Sequence, residues 1–138
     1  MNYHEAVAFV ESLPQISKGY YMAQGMVNRS VYLKRMRRLL EAVGHPEREI
    51  PNFIHVGGTS GKGTVTMGIA EGLRAGGARV GAYTSPHITT TIERFWTNGK
   101  LMSPRRYAEL VAWIKPVLLR ELKTSSLGIP SYFEIEFA

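Results

Sequence analysis

Apolar positions in the chain recur at helical spacing, then in short continuous runs, then at helical spacing again. Residues 3 to 12 carry Val7, Ala8 and Phe9 among polar neighbours, and Pro14 limits a helix there to about three turns. Residues 14 to 28, with Pro14, Gly19, Gly25 and Tyr20-Tyr21, show no period and read as irregular. From about Ser30 to Val43, the residues Leu33, Met36, Leu39, Leu40 and Val43 form an apolar stripe, closed by Gly44 and Pro46. Phe53-Ile-His-Val56 lies between Pro51 and a glycine cluster, the pattern of a central parallel strand buried on both faces. Val65, Ile69, Ala70 and Leu73 then predict a helix from Thr64 to about Ala75, stopped by Gly76-Gly77. Arg79-Val-Gly-Ala-Tyr-Thr84 supplies a second strand. Strand, glycine loop, helix and strand make a βαβ unit, which predicts a parallel sheet flanked by helices in a three-layer α/β domain. Ligands of such sheets sit beyond the carboxyl ends of the strands, just after Val56 and just after Thr84.

Residues 85 to 92, Ser-Pro-His-Ile-Thr-Thr-Thr-Ile, leave the second strand at that edge as a candidate substrate loop. Asn98-Gly99 marks a tight turn. Ser103-Pro104 opens a helix through Leu110, Val111, Ile114 and Leu118, with Pro116 as a kink position. After a loop at Ser125 to Pro130 the chain ends on Ser131-Tyr-Phe-Glu-Ile-Glu-Phe-Ala138. With 138 residues the chain has material for one domain. The absence of cysteine removes disulfides, thiolate metal sites and a thiol nucleophile together and fits a reducing compartment, with the cytoplasm as the default. No run approaches the ~18 apolar residues of a membrane span, and Met1-Asn-Tyr-His-Glu-Ala lacks the start of a signal peptide, so neither membrane nor export is expected. The net charge of +6 draws on Lys34, Arg35, Arg37 and Arg38. They read as the solvated face of a helix, or as an attraction for acidic substrates, rather than as a nucleic-acid site.

The glycine cluster carries the chemistry. A phosphate-binding loop needs glycines so that successive backbone N–H groups converge on oxygens, a lysine for the β- and γ-phosphates, and a hydroxyl near Mg²⁺. Gly58, Gly61, Lys62 and Thr64 can fill those parts, after a strand and at the start of a helix. This gives the domain a P-loop NTPase-like character. The strict pattern is not met, because Val56 holds the first glycine position and Gly63 separates Lys62 from Thr64.

Gly58-Thr-Ser-Gly-Lys-Gly-Thr64 resembles the Gly-Thr-Asn-Gly-Lys-Gly-Ser/Thr loop of folylpolyglutamate synthases and dihydrofolate synthases, in the Mur ligase family, with Ser60 replacing Asn. Tyr83-Thr-Ser-Pro-His-Ile88 followed by Glu93-Arg94 is similar to that family's Ser-Pro-His-Leu substrate loop with its Glu-Arg. Ser131-Tyr-Phe-Glu134 is similar to its Thr-Tyr-Phe-Glu element. Three ordered matches are far more specific than one, and they run from about residue 30 to 138. The resemblance implies an ATP loop of Gly58, Thr59, Ser60, Gly61, Lys62, Gly63 and Thr64, with Lys62 as the catalytic side chain neutralising the γ-phosphate. It implies Ser85 as the Mg²⁺ ligand. An ordinary phosphate loop would give the metal to Thr64, but the inserted Gly63 displaces that residue and favours Ser85. Pro86, His87, Ser131, Tyr132, Phe133 and Glu134 match positions near the pterin substrate, as do Arg29, Ser30 and Val31 by a weaker alignment. His87 also reads as a base or metal ligand, although a loop-shaping role is favoured, and Glu134 also reads as a solvated helix carboxylate. Alternation of Phe133, Ile135 and Phe137 suggests a strand, whereas the resemblance implies a helix, which is adopted.

The implied reaction transfers the ATP γ-phosphoryl group to a folate-side carboxylate, giving an acyl phosphate that the amino group of L-glutamate attacks. No protein nucleophile is required. The implied cofactors are ATP and Mg²⁺, the substrates dihydropteroate or folate with L-glutamate, and the full-length form a monomer. The family's chains are far longer, so these residues are expected to be the N-terminal portion of an ATP-binding domain that holds nucleotide. Further metal ligands, a modified lysine and the C-terminal glutamate-binding domain are expected beyond residue 138. Three alternatives stand beside this reading. A small P-loop kinase or NTPase would need an Asp-ended strand and an arginine lid, neither of which the sequence displays. A nucleotide-binding module without chemistry suits the length, and a muramyl-peptide ligase is disfavoured by Ser-Pro-His.

Overall fold

A computed structural model of the chain describes residues 1–14, 30–128 and 130–138. The irregular segment read up to residue 28, beyond Pro14, and the pterin position Arg29 therefore lie outside the described residues. The elements are α1 (Tyr3–Glu11), α2 (Ser30–Ala42), a 3₁₀ turn at Pro46–Glu49, α3 (Lys62–Ala75), β1 (Gly81–Tyr83), a second 3₁₀ turn at Thr91–Arg94, β2 (Phe95–Thr97), β3 (Lys100–Leu101), α4 (Pro104–Thr124) and α5 (Tyr132–Phe137). They divide into two compact units, one of Met1–Pro51 with Ala108–Ala138 and one of Asn52–Tyr107.

The first unit is helical, and its helix ends follow the local sequence. Asn2 and Glu5 exchange side-chain and backbone bonds at 2.9 Å in a capping box that starts α1. Gly44, at φ +87°, takes the left-handed conformation just past α2 that favours glycine. Ser103 Oγ accepts from the Arg106 N–H at 3.2 Å at the start of α4, which continues through Pro116 to Thr124. Ala108, Val111, Ile114 and Leu118 of α4 recur at helical spacing and are buried with Ala6, Val10, Leu39, Tyr132 and Ile135. Each fully buried large aliphatic side chain contributes about 1.5–3 kcal/mol. Glu121 continues the buried stripe and is matched by Arg38 from α2. The C-terminal segment is helical, despite the alternation of Phe133, Ile135 and Phe137.

The basic face of α2 is not plain solvated surface. Arg35 is largely buried and paired with Glu134, and Arg38 is paired with Glu121, so two of its four cations are committed inside the chain. Leu33, placed on the apolar stripe, is exposed instead.

The second unit departs from the expected parallel sheet. Its three strands are antiparallel in the order β1-β2-β3, with Gly81, Ala82 and Tyr83 opposite Thr97, Trp96 and Phe95. For β2 and β3 the reason lies in Asn98-Gly99: both residues have positive φ, at 47° and 91°, the requirement of a tight hairpin turn that returns β3 along β2. Asn98 also brackets Val80, donating to its carbonyl at 2.9 Å and accepting from its N–H at 2.8 Å. Phe53-Ile-His-Val56, expected as a buried central strand, lies outside any strand, with Phe53 66% and Ile54 61% exposed. A continuous apolar run is buried only where strands flank it and helices cover it, and no described strand pairs with this one. Of the predicted buried face of α3, Ala70 is buried while Val65 and Leu73 are exposed. No described helix is long and apolar enough to cross a membrane.

Candidate functional site

The phosphate-loop candidates occupy the approach to α3. Gly58, Thr59, Ser60 and Gly61 are exposed loop residues, and Lys62, Gly63 and Thr64 form the first helical turn. Gly61 caps that helix at φ +73°, where a side chain would be strained, and gives its first turn no side-chain cap bond. The first turn also lacks any acidic residue, so its outward N–H groups and the positive helix end are left for an anion. Lys62 folds back, its Nζ donating to the Gly58 carbonyl at 2.8 Å. This bond holds the ammonium over the loop where a phosphate oxygen can displace the carbonyl.

The loop from Ser85 to Glu93, in the same unit, is closed by the antiparallel ladder. One step past the Tyr83–Phe95 pair, Thr84 N–H donates to the Arg94 carbonyl at 3.0 Å, bringing both ends together. Within it, the Glu93 carboxylate accepts N–H bonds from Ile88 at 2.9 Å, Thr89 at 3.1 Å and Thr90 at 2.9 Å. The bond from Ile88, opposed by partial burial and aided by Thr90, Thr89 and the nearby His87, holds the Glu93 carboxyl below its usual pKa. Ser85 and Pro86 are exposed, joined by a cis peptide bond, and His87 is half-buried. Arg94 is buried and donates to His87 Nδ1 at 2.9 Å and to Tyr83 Oη at 3.0 Å.

Sequence reasoning named Glu93-Arg94 only as part of a motif and did not foresee β2. The signal for β2 was present: an aromatic run, Asn-Gly, then Lys-Leu is a hairpin pattern that pairs β2 with β3, although it does not encode the β1–β2 pairing that sets Arg94 against Thr84.

The positions matched to pterin contacts at the C-terminus lie in the helical unit. Ser131 caps α5: its N–H and Oγ both donate to Glu134 Oε2, at 2.8 and 2.6 Å. Arg35 reaches both oxygens of Glu134 at 2.6–3.0 Å and also donates to the Leu127 carbonyl at 3.3 Å. Glu134 is therefore a buried, fully engaged carboxylate and not a solvated one. Tyr132 is buried and Phe133 is 47% exposed, while Ser30 and Val31, half-buried, open α2.

Among the described residues no three His, Cys, Asp or Glu side chains gather to hold a metal. Mg²⁺ keeps several waters and is commonly bound through substrate phosphates, so an exposed hydroxyl is a compatible donor. Both Ser85 and Thr64 offer one.

No protein-family model matches the chain. The dihydrofolate synthase/folylpolyglutamate synthase of Bacillus subtilis is 41% identical over 103 residues, covering 75% of this chain and 24% of that protein. The folylpolyglutamate synthase of Lacticaseibacillus casei is 35% identical over 121 residues, 87% of this chain and 25% of its own length. Among solved structures, a folylpolyglutamate synthase complex with AMPPCP and folate superposes with a TM-score of 0.80 at 31% identity, over 99% of this chain and 30% of that one. The Thermotoga maritima enzyme superposes at 0.78, with 30% identity, over 98% of this chain and 28% of that one. The chain thus spans about a quarter of the length of these curated relatives. Shared sequence across most of its residues and a shared fold across nearly all of them place the chain in the folylpolyglutamate synthase/dihydrofolate synthase family.

Proposed function

We propose that the chain is the phosphate-binding portion of an ATP-dependent ligase that adds L-glutamate to dihydropteroate or to tetrahydrofolate and its polyglutamates through an acyl phosphate. The observation that carries this reading is the loop at Gly58–Thr64. A lysine is tied to the loop carbonyl of Gly58 at a helix start without a side-chain cap, in a chain whose fold matches a relative solved with AMPPCP and folate. In this reading Lys62 exchanges the Gly58 carbonyl for the γ-phosphate, and the N–H groups of the first turn of α3 take the neighbouring oxygens. Together they neutralise the charge that develops as the phosphoryl group passes to the folate-side carboxylate. Ser85 would hold Mg²⁺, which when bound would supply further charge neutralisation. Pro86 and His87 border the pterin, and the ordered segment from Ile88 to Glu93 fixes where they stand. The remaining described positions assigned to the pterin are Ser30, Val31 and Ser131, Tyr132, Phe133 and Glu134, and of the last four Phe133 is the exposed side chain. The glutamate site is assigned to the part of the relatives' length that this chain does not span. The chain alone accordingly binds nucleotide without completing ligation, in a cytoplasmic enzyme that works as a monomer.

Calorimetry of the chain with ATP and Mg²⁺ tests the loop. Hydrogen bonds to charged groups contribute about 1.5–3 kcal/mol, so Lys62→Ala is expected to weaken binding by at least tenfold. Equal affinity in the two proteins would remove Lys62 from the phosphate site. The ligase reading itself rests on pterin dependence: ATP turnover by the enzyme containing this chain should require dihydropteroate or tetrahydrofolate together with glutamate. Turnover indifferent to pterin would sink it.

A further inference from the structure

Arg94 has no part in the phosphate or metal roles described above, yet it is only 5% exposed and is held at both ends. Its carbonyl accepts the Thr84 N–H at 3.0 Å. Its guanidinium lies between Tyr83 Oη, at 3.0 Å from Nη1, and His87 Nδ1, at 2.9 Å from Nε. The Tyr83 ring in turn packs on Phe95, at 5.5 Å between centroids, and Phe95 on Tyr107 at 6.1 Å. Arg94 therefore has little freedom to present another atom to His87.

A guanidinium carries donors only, so the ring nitrogen facing it must offer a lone pair. An imidazole with its lone pair on Nδ1 carries its hydrogen on Nε2. We propose that Arg94 is a positioning residue that fixes His87 as an Nε2–H donor, directed at an anionic oxygen of a ligand in the adjoining site. The ligand oxygen is a phosphate or a carboxylate, and this part rests on the function proposed above. The same bond bars both ring nitrogens from general-base and metal-ligand roles: Nδ1 is occupied by Arg94, and Nε2 has no free lone pair. Glu93 supports the arrangement by ordering the backbone from Ile88 to Thr90, immediately after His87.

Long-range ¹⁵N–¹H spectra of the ¹⁵N-histidine-labelled chain read the tautomer directly, with His87 assigned by the signals lost in His87→Gln. The wild-type chain is expected to show His87 with Nδ1 bare and Nε2 protonated. Arg94→Met should let the two tautomers mix while the other histidines keep their shifts. A hydrogen on Nδ1 in the wild type overturns the proposal whether or not any variant folds, and so does an Arg94→Met spectrum identical to wild type. AMPPCP with Mg²⁺ and folate are then added separately. A shift of the Nε2 hydrogen with AMPPCP assigns a phosphate acceptor, and one with folate a carboxylate. No shift at saturation by either overturns the donor role. The ligand-free tautomer needs no bound substrate, so absent binding in calorimetry would count against the proposed function and leave the positioning by Arg94 standing on its own spectrum.

Discussion

Glu93 and Arg94 are neighbours in sequence with opposite charges and separate tasks. The carboxylate accepts from three successive backbone N–H groups, those of Ile88, Thr89 and Thr90. The guanidinium turns to the ring of His87. Since the folded loop binds the charged form of Glu93, its folded pKa lies below the ordinary value of 4.5. A depressed carboxylate contributes stability that is complete above its unfolded pKa and is lost as pH falls through the folded value. Hydrogen-exchange protection of the amides of residues 88 to 90 is therefore expected to hold from neutral pH down to about 5 and to fall steadily below it. Glu93→Gln at neutral pH should match the acidified wild type. Protection unchanged down to pH 3, or a Gln variant as protected as wild type, would remove Glu93 from the loop's support. Neither task was legible from residue types alone. Both depend on an antiparallel pairing that brings residues 84 and 94 together, and spacing along one strand does not encode pairing across two.

At the level of elements, local signals were read well where they act locally. Gly44 past α2 and Ser103-Pro104 before α4 stand where the sequence placed them. The helix read from Thr64 begins two residues earlier, at Lys62, because Gly61 takes the left-handed conformation that opens it. The C-terminal segment shows the limit of periodicity. Phe133, Ile135 and Phe137 alternate as in a strand, but Ser131 and Glu134 form a capping box, and that reciprocal bonding starts a helix. Glu134 also pairs with Arg35, tying α5 to α2 through a side chain 99 residues away. Removing the carboxylate leaves Arg35 uncompensated in a largely buried position. Glu134→Ala is accordingly expected to cost about 3–5 kcal/mol, and Ser131→Ala, which loses only a cap, about 0.5–2 kcal/mol. Denaturant unfolding of the two variants gives the comparison. Equal losses would mean that the ion pair adds nothing to the cap.

Over the whole chain, hydrophobic residues are 44% of the sequence, but the structure uses them unevenly. In the helical unit the stripe of α4 is buried, as are Val10, Leu39 and Tyr132, with Leu118 wholly buried. In the other unit Phe53, Ile54, Val65, Leu73, Ile88 and Leu101 all face outward. The sequence pattern of Phe53–Val56 states what this run would bury, not what is present to bury it against, which is why its apolar character was legible and its placement was not. The two classes of residue should respond oppositely to substitution. Leu118→Ala opens a cavity and is expected to cost about 2–5 kcal/mol. Phe53→Ser, on an exposed position, should change unfolding free energy by no more than about 0.5 kcal/mol. Exposed apolar clusters attract hydrophobic probes, so Phe53→Ser should also lower the binding of such a dye to the native chain. Leu118→Ala should raise dye binding only as unfolding begins. A Phe53→Ser variant as destabilised as Leu118→Ala would show that Phe53 packs in a core after all, and the division between used and unused hydrophobic surface would fall with it.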